Sequence, residues 1–269
     1  MTKLFDLSGE IVVVIGGTGV LGGALAEGLA GAGALVAILG RGADRGEACA
    51  ARIRDAGGAA AFFAADATSA ESLQAAHQAI QGGLGSPTVL VSAAGGNDPA
   101  VTVTADHPFE AIKVADWQAN FDLNLVGGAL LPAQEFGPAM CERGRGSIIN
   151  IASVAAHLPL SRVVAYSAAK AAVLNLSRFL AREWAPRGVR VNTITPGFFP
   201  AEQNRRLLFD ENGSPTARAQ LILGRTPMGR FGEPSELVGA AIFLASTAAS
   251  GFVTGADLPV DGGFLAMAL

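Results

Sequence analysis

Ile11-Val12-Val13-Val14-Ile15 runs directly into Gly16-Gly17-Thr18-Gly19-Val20-Leu21-Gly22. Five consecutive β-branched residues are the composition of a strand buried on both faces. The glycines open an Ala- and Gly-rich helical stretch, Val20–Ala32, before a second apolar run at Leu35–Leu39. A glycine turn between strand and helix lets backbone N–H groups and the positive helix end meet a pyrophosphate with no Cβ in the way. With 35 glycines in the chain, the string alone is weak; its place after a strand and before a helix makes it strong. From Ile11 to Gly40 the only charge is Glu27, so a hydropathy scan flags a membrane span. The glycines scattered through that stretch favour a buried strand–helix–strand unit instead.

The alternation continues outward. Short apolar runs at Ala60–Ala64, Thr88–Ser92, Ser147–Ile151 and Val189–Ile194 alternate with helical candidates at Ala43–Ala56, Ala70–Gln81, Val114–Glu142 and Ala165–Trp184. A helix at Pro234–Leu244 and a strand at Leu258–Val260 complete the series. Such a pattern predicts parallel strands joined by right-handed crossovers. The expected fold is α/β, a Rossmann-type doubly wound sheet of about seven strands with helices on both faces. Gly95–Lys113 and Phe198–Arg230 interrupt the alternation, and long insertions in compact domains are usually lids or binding loops. Residues 198–230 read as a substrate lid. With no repeat, low-complexity tract or linker, residues 1–269 read as one dinucleotide-binding and catalytic domain.

Composition narrows the function classes. Half of the 269 residues are hydrophobic and 16% are charged, which supports a large core and excludes disorder. The net charge is −4 and no basic run exceeds Arg205-Arg206, so no nucleic-acid partner is expected. Cys49, Cys141, His77, His107 and His157 show no metal-ligand spacing, and no metal is expected. Met1–Glu10 has no apolar signal core. With no membrane association expected, the cytoplasm is the default location.

The end of the second strand selects the cofactor. An acid there accepts hydrogen bonds from the adenosine ribose and repels a 2′-phosphate. This strand instead ends Ile38-Leu39-Gly40-Arg41, and a guanidinium can hold a phosphate through two parallel hydrogen bonds. NADP(H) is the predicted preference, with NAD as the alternative. Asp66, after the third strand, is placed to meet the adenine edge, and Ala94-Gly95, after the fourth, to let the cofactor pass closely.

Tyr166 and Lys170 stand four residues apart in Tyr-Ser-Ala-Ala-Lys and so share a helix face. Ser153 lies thirteen residues earlier, just past the fifth strand, and strand C-termini are where ligands bind in open α/β sheets. A tyrosine beside an ammonium can serve as acid and base, because the positive charge favours the phenolate. Lowering a phenol from pKa 10 to 7 requires ~4 kcal/mol. Lys170, with the charge of an oxidised nicotinamide, is the predicted source. Ser153 would hydrogen-bond the substrate oxygen.

Gly16–Gly22, Ala94-Gly95, Asn124, Ser153, Tyr166, Lys170, Pro196-Gly197 and Val260–Gly263 fall in the order and spacing of short-chain dehydrogenases/reductases, and the resemblance spans essentially the whole chain. It implies hydride transfer to or from a nicotinamide, with Tyr166 as general acid/base. Lys170 binds the nicotinamide ribose and tunes Tyr166, Ser153 positions the carbonyl, and Asn124 holds a water in a proton relay. Gly16, Thr18, Gly19, Val20, Leu21, Gly22, Arg41, Asp66, Ala67, Ala94, Gly95, Tyr166, Lys170, Pro196, Gly197 and Phe199 form the implied cofactor set. The resemblance also implies a homotetramer built on Val114–Glu142 and Ala165–Trp184. Three departures stand out. Val20 occupies a usual glycine position, Ser92-Ala93 replace two asparagines and put a strand-linking hydrogen bond in doubt, and Ala201 replaces a threonine.

Gly95-Gly96-Asn97, Phe198–Arg205 and Thr226–Gly232 are similar to a sugar-acid subgroup, the D-mannonate oxidoreductases or fructuronate reductases. That resemblance implies a small-molecule substrate of the fructuronate/mannonate or ketogluconate type. A polyol carboxylate needs polar partners and a cation. Asn97, Gln203 and Asn204 could bind hydroxyls, Arg162 or Arg205 the carboxylate, and His157 could line the pocket. Phe198, Phe199, Leu207, Leu208 and Phe209 could equally enclose an apolar ketone, as in a broad carbonyl reductase, or anchor the lid on the core. A non-catalytic, cofactor-binding regulatory protein is the third alternative.

Overall fold

The computed structural model describes residues 3–201, 205 and 207–267. Seven parallel strands form one sheet: β1 (Ile11–Ile15), β2 (Leu35–Gly40), β3 (Ala59–Ala64), β4 (Val89–Ser92), β5 (Gly146–Ile151), β6 (Val189–Pro196) and β7 (Asp257–Val260). Their order is β3-β2-β1-β4-β5-β6-β7, which is the expected doubly wound arrangement. The chain runs outward from β1 to β3, then returns to the other side of β1 at β4. That reversal leaves a crevice beyond the ends of β1 and β4.

Burial on both faces explains why the strands are continuous apolar runs. Along β1, Val12 and Val14 pack with Leu25 and Leu29 of α1 (Val20–Gly31), Cys49 and Ile53 of α2 (Ala43–Asp55) and Leu244 of α8 (Val238–Ala245). Val13 and Ile15 face the opposite layer. There they meet Leu73 and Ile80 of α3 (Ala70–Gly83), Phe136 and Met140 of α5 (Leu131–Arg143) and Leu180 of α6 (Val164–Trp184). Cys49 and Cys141 are buried free thiols within this packing.

The single helix expected over Val114–Glu142 is three segments: α4 (Val114–Phe121), a π-helical stretch over Asp122–Leu130, then α5. Within the wide stretch the helix passes hard against two strand ends. A Cβ at Gly127 would sit 3.0 Å from the Ala67 carbonyl carbon, and one at Gly128 3.1 Å from the Ala94 oxygen. π-helical turns recur at functional sites, and this one carries Asn124. The helix expected at Pro234–Leu244 starts as a 3-10 turn, Pro234–Leu237, capped by Glu233 and Glu236, before α8.

The 198–230 insertion contains α7 (Ala217–Gly224) and has a small core of its own. Leu208, Ala219 and Ile222 are buried there against Phe198, Phe209 and Phe231. Several of its aromatics therefore anchor the segment. No helix among the described residues is long and apolar enough to cross a membrane.

Candidate active site

The glycine turn meets the expectation of a cradle with no room for side chains. Gly16 has φ +78°, and a Cβ there would lie 2.7 Å from the Ala94 nitrogen; one at Gly22 would lie 2.3 Å from the Gly16 oxygen. These contacts let β1, α1 and the end of β4 touch through bare backbone. Helix α1 begins at Val20 behind Gly19, which offers no side-chain cap, so its first N–H groups face the crevice unclaimed by a side chain. Val20 is 45% exposed and lines the cleft in the place of the usual glycine.

The rim residues hold distinct positions. Thr18 packs against Gly40: a Cβ at 40 would lie 2.6 Å from the Thr18 side chain. Arg41 is exposed just after β2. Its charge helps hold the Asp66 carboxyl below the usual range, after the larger effect of the Thr68 N–H (2.9 Å) and hydroxyl (2.7 Å) donating to it. Ala67 supports the π-helical turn. On the far side, Gly197 donates its N–H to the Val260 oxygen at 3.0 Å, and Pro196, Gly197 and Phe199 all line the cleft.

Beyond the ends of β4 and β5 the chemistry-bearing residues converge. Ser153 follows β5, and its Oγ accepts from the Ala155 N–H at 3.2 Å. Tyr166 and Lys170 project from the first turns of α6, one turn apart, and all three line one cleft of about 560 Å³ with Gly16, Gly19 and Gly22. Lys170 is 3% exposed, and its Nζ donates to the Ile151 carbonyl at 2.8 Å. With no carboxylate among the described residues to hold the charge, burial pushes its pKa down to about 8. Asn124 is wholly buried behind Gly96, exchanging hydrogen bonds with it: Gly96 N–H to Oδ1 at 2.9 Å, and Nδ2 to the Gly96 oxygen at 2.8 Å. Its Nδ2 also reaches the Asn120 oxygen at 2.9 Å.

The expected lowering of Tyr166 is not present in the chain by itself. Burial raises its pKa, with hydrogen bonding from Ser153 pulling the other way. The Lys170 ammonium lies 5.8 Å from the ring centroid and is drawn to a backbone carbonyl. The phenol of the chain alone therefore keeps its proton at neutral pH.

Of the substrate candidates, Asn97 and Arg162 line the cleft; Gln203 and Asn204 lie outside the described residues. Asn97 donates from Nδ2 to the Thr102 hydroxyl at 2.6 Å. His157, expected to line the pocket, does not: its Nε2 lies 2.9 Å from Asp257 Oδ2 on β7. Asp257 also accepts from the Thr193 and Thr195 hydroxyls, each at 2.6 Å, so this network ties the loop after Ser153 to β6 and β7. Arg205 stacks over the Phe209 ring at 5.6 Å. The doubt over Ser92 is borne out: its buried Oγ has no partner among the described residues, and neither has Asn150 Oδ1 on the paired strand. The sequence reading missed Arg218 of α7, which lines the same cleft. Nothing in its local sequence marks it.

A family model described as enoyl-(acyl carrier protein) reductase matches residues 18–265. The chain is 41% identical to the uncharacterized oxidoreductase UxuB of Bacillus subtilis (strain 168), over 97% of this chain and 96% of the relative. Among solved structures it is similar to a candidate D-mannonate oxidoreductase from Haemophilus influenza with bound NAD. That match has 38% identity and a TM-score of 0.92, over 98% of this chain and 97% of the other. It is likewise similar to a gluconate 5-dehydrogenase from Burkholderia cenocepacia J2315 in complex with NADP and tartrate. Here identity is 36% and the TM-score 0.88, over 99% of each chain. A glycine cradle and a Ser-Tyr-Lys set on one cleft, carried at such identities along nearly the full length, mean that the chain belongs to the short-chain dehydrogenase/reductase family of NAD(P)-dependent oxidoreductases acting on CH–OH groups.

Proposed function

We propose that this enzyme interconverts a ketone and its secondary alcohol on a sugar acid of the fructuronate/mannonate or ketogluconate type, with NADP(H) preferred over NAD(H). The observation that carries the reading is the single cleft in which Ser153, Tyr166 and Lys170 face the side-chain-free glycine cradle. The residues fit a dinucleotide: a Cβ would fill the space at Gly16 and Gly22, and an uncapped helix start faces it. Gly19, Leu21, Ala94, Gly95 and Pro196 to Phe199 would flank the cofactor, and Lys170 would hold its ribose. When bound, the reduced nicotinamide supplies the hydride. Ser153 Oγ orients the substrate oxygen, and Tyr166 Oη gives that oxygen its proton; in the reverse direction the phenolate takes it back. Asn124, locked to Gly96 and Asn120, belongs to the path that returns a proton from solvent.

The relatives' names, D-mannonate oxidoreductase and gluconate 5-dehydrogenase, support a sugar acid, as do Asn97, Thr102, Thr104 and Arg162 on the cleft wall. Leu160, Val163 and Leu207 on the same wall support the second reading, an apolar ketone. Residues 198–230 serve as the lid. A homotetramer in the cytoplasm completes the proposal, with exposed Val114 on α4 and Phe179 on α6 (72% and 51%) supporting assembly through those helices.

Reduced-nicotinamide absorbance, followed with fructuronate, 5-ketogluconate, a cyclic ketone and an aromatic ketone, tests the reading. Turnover on the keto acids with at least tenfold better kcat/KM for NADPH, ~1.4 kcal/mol, is expected. Turnover confined to the apolar ketones overturns it. The NADP(H) preference rests on Arg41 and on Gly40, where Thr18 leaves no room for an acid. Arg41→Ala is expected to raise KM for NADPH about tenfold and to leave that for NADH within about twofold. Equal effects on both would remove Arg41 from the cofactor site.

A further inference from the structure

Fifteen arginines fall among the described residues, and thirteen of them are exposed. Of the other two, Arg190 is buried and spends its guanidinium on the Ser250 hydroxyl and the Leu244 and Val253 carbonyls. Arg218 is half-buried on α7 and has no hydrogen bond or ion pair among the described residues. A guanidinium withdrawn from water with no acceptor among the described residues is unfavourable, which suits it to the anion of a ligand. Arg218 also faces a like charge: Arg162 is near enough to weigh on it, and both line the cleft that holds Ser153 and Tyr166.

Arg162 is held in place by its backbone. It is the one non-glycine residue with positive φ (78°) among the described residues. Its carbonyl accepts from the Val103 N–H at 2.9 Å, while its Nε donates to the Val103 oxygen at 3.2 Å. That leaves its two terminal nitrogens without an acceptor among the described residues. No Asp or Glu lines the cleft among the described residues. Two guanidiniums with no carboxylate partner among the described residues, brought to one cleft from the loop after β5 and from the insertion, make a receptor for an anion.

We infer that Arg218, paired with Arg162, receives the substrate's carboxylate and makes the enzyme select acidic over neutral ketoses; the inference rests on the sugar-acid reading above. A planar guanidinium matches a carboxylate through two parallel hydrogen bonds, and bridging one anion between the pair replaces repulsion with attraction. Arg218 is a binding residue and takes no part in proton transfer.

The test compares 5-ketogluconate with fructose, a neutral ketose of the same chain length, in the wild type, Arg218→Gln, Arg218→Lys and Arg162→Gln. The wild type is expected to favour the acid. Arg218→Gln should raise KM for 5-ketogluconate about 10- to 100-fold, with kcat within about threefold and KM for NADPH unchanged. Fructose reduction should not respond, and Arg218→Lys should recover part of the loss. A merely structural role would lower kcat or NADPH affinity on both substrates alike. A wild type that reduces fructose as efficiently as the acid sinks the sugar-acid reading, and this inference with it. A wild type that prefers the acid, with an Arg218→Gln variant that keeps the preference, leaves the reading standing and overturns the assignment to Arg218.

Discussion

Tyr166→Phe lowers kcat for ketone reduction by about 10³-fold, within the 10²–10⁴ range of positioned general acids, while NADPH binding stays within about twofold. The variant removes one oxygen and keeps the ring, so the packing around α6 is unchanged. Binding is read from the fluorescence of the bound reduced nicotinamide, turnover from its absorbance. Retained turnover would refute the proton transfer proposed for this hydroxyl. Tyr166 is also the only tyrosine in the chain, so tyrosinate absorbance titrates it alone. Burial raises its pKa from the ordinary value of 10.0, which places the titration of the protein without cofactor above pH 10. Its proton is then present across the neutral range. Ketone reduction should be flat from about pH 6 to 8, whereas alcohol oxidation, which needs the phenolate, should climb with pH. A tyrosinate signal below pH 10 would show that the ammonium, not burial, governs the phenol.

What the sequence made legible follows from what local pattern can encode. Residues such as Val12 to Ile15 are apolar on both faces because two helical layers cover them, so the strands and their parallel pairing can be read from composition. Gly16 and Gly22 are legible because their backbones touch other backbone and exclude a Cβ. The Tyr166–Lys170 spacing is a helix period. The features that escaped are those set by distant partners. His157 is captured by Asp257, one hundred residues away, which no local signal announces. The π-helical turn at Asp122–Leu130 lies where Gly127 and Gly128 pass close to Ala67 and Ala94, neighbours far away in the sequence. Arg218 is an ordinary arginine on a short helix until the fold sets it on the cleft wall without an acceptor among the described residues. The direction of the Tyr166 shift escaped for a similar reason. Spacing puts an ammonium on the same helix face, but the Ile151 carbonyl decides where that ammonium points.

That carbonyl bond also sets the second large effect. Lys170→Met is expected to lose at least about 10²-fold in turnover, since the cleft loses the cation proposed to hold the cofactor ribose beside Tyr166, and yet to withstand unfolding better in relative terms at neutral pH than at alkaline pH. In the unfolded chain the amine keeps its proton up to pH 10.5; in the folded chain it does so only to about 8, because burial penalises the charge. Between those values the unfolded state binds more protons, so folding of the parent grows more favourable as pH rises through the window. Methionine fills a similar volume and does not titrate. The stability of the variant minus that of the parent must therefore move in the variant's favour as pH falls from 10.5 to 8, by about 3 kcal/mol in all. Roughly 2 kcal/mol of this falls between pH 9.5 and 7. Losing the hydrogen bond to Ile151 adds an offset nearly independent of pH, so the change with pH, not the value at one pH, is diagnostic. Urea unfolding of both proteins at pH 7, 8.5 and 9.5 measures it. Parallel curves would mean that the folded protein stabilises the Lys170 charge as well as water does. A difference that shifts in the variant's favour as pH falls would mean that a buried ammonium with no carboxylate partner among the described residues is kept at the cleft at the expense of stability, as expected where a charge is retained for chemistry and not for folding.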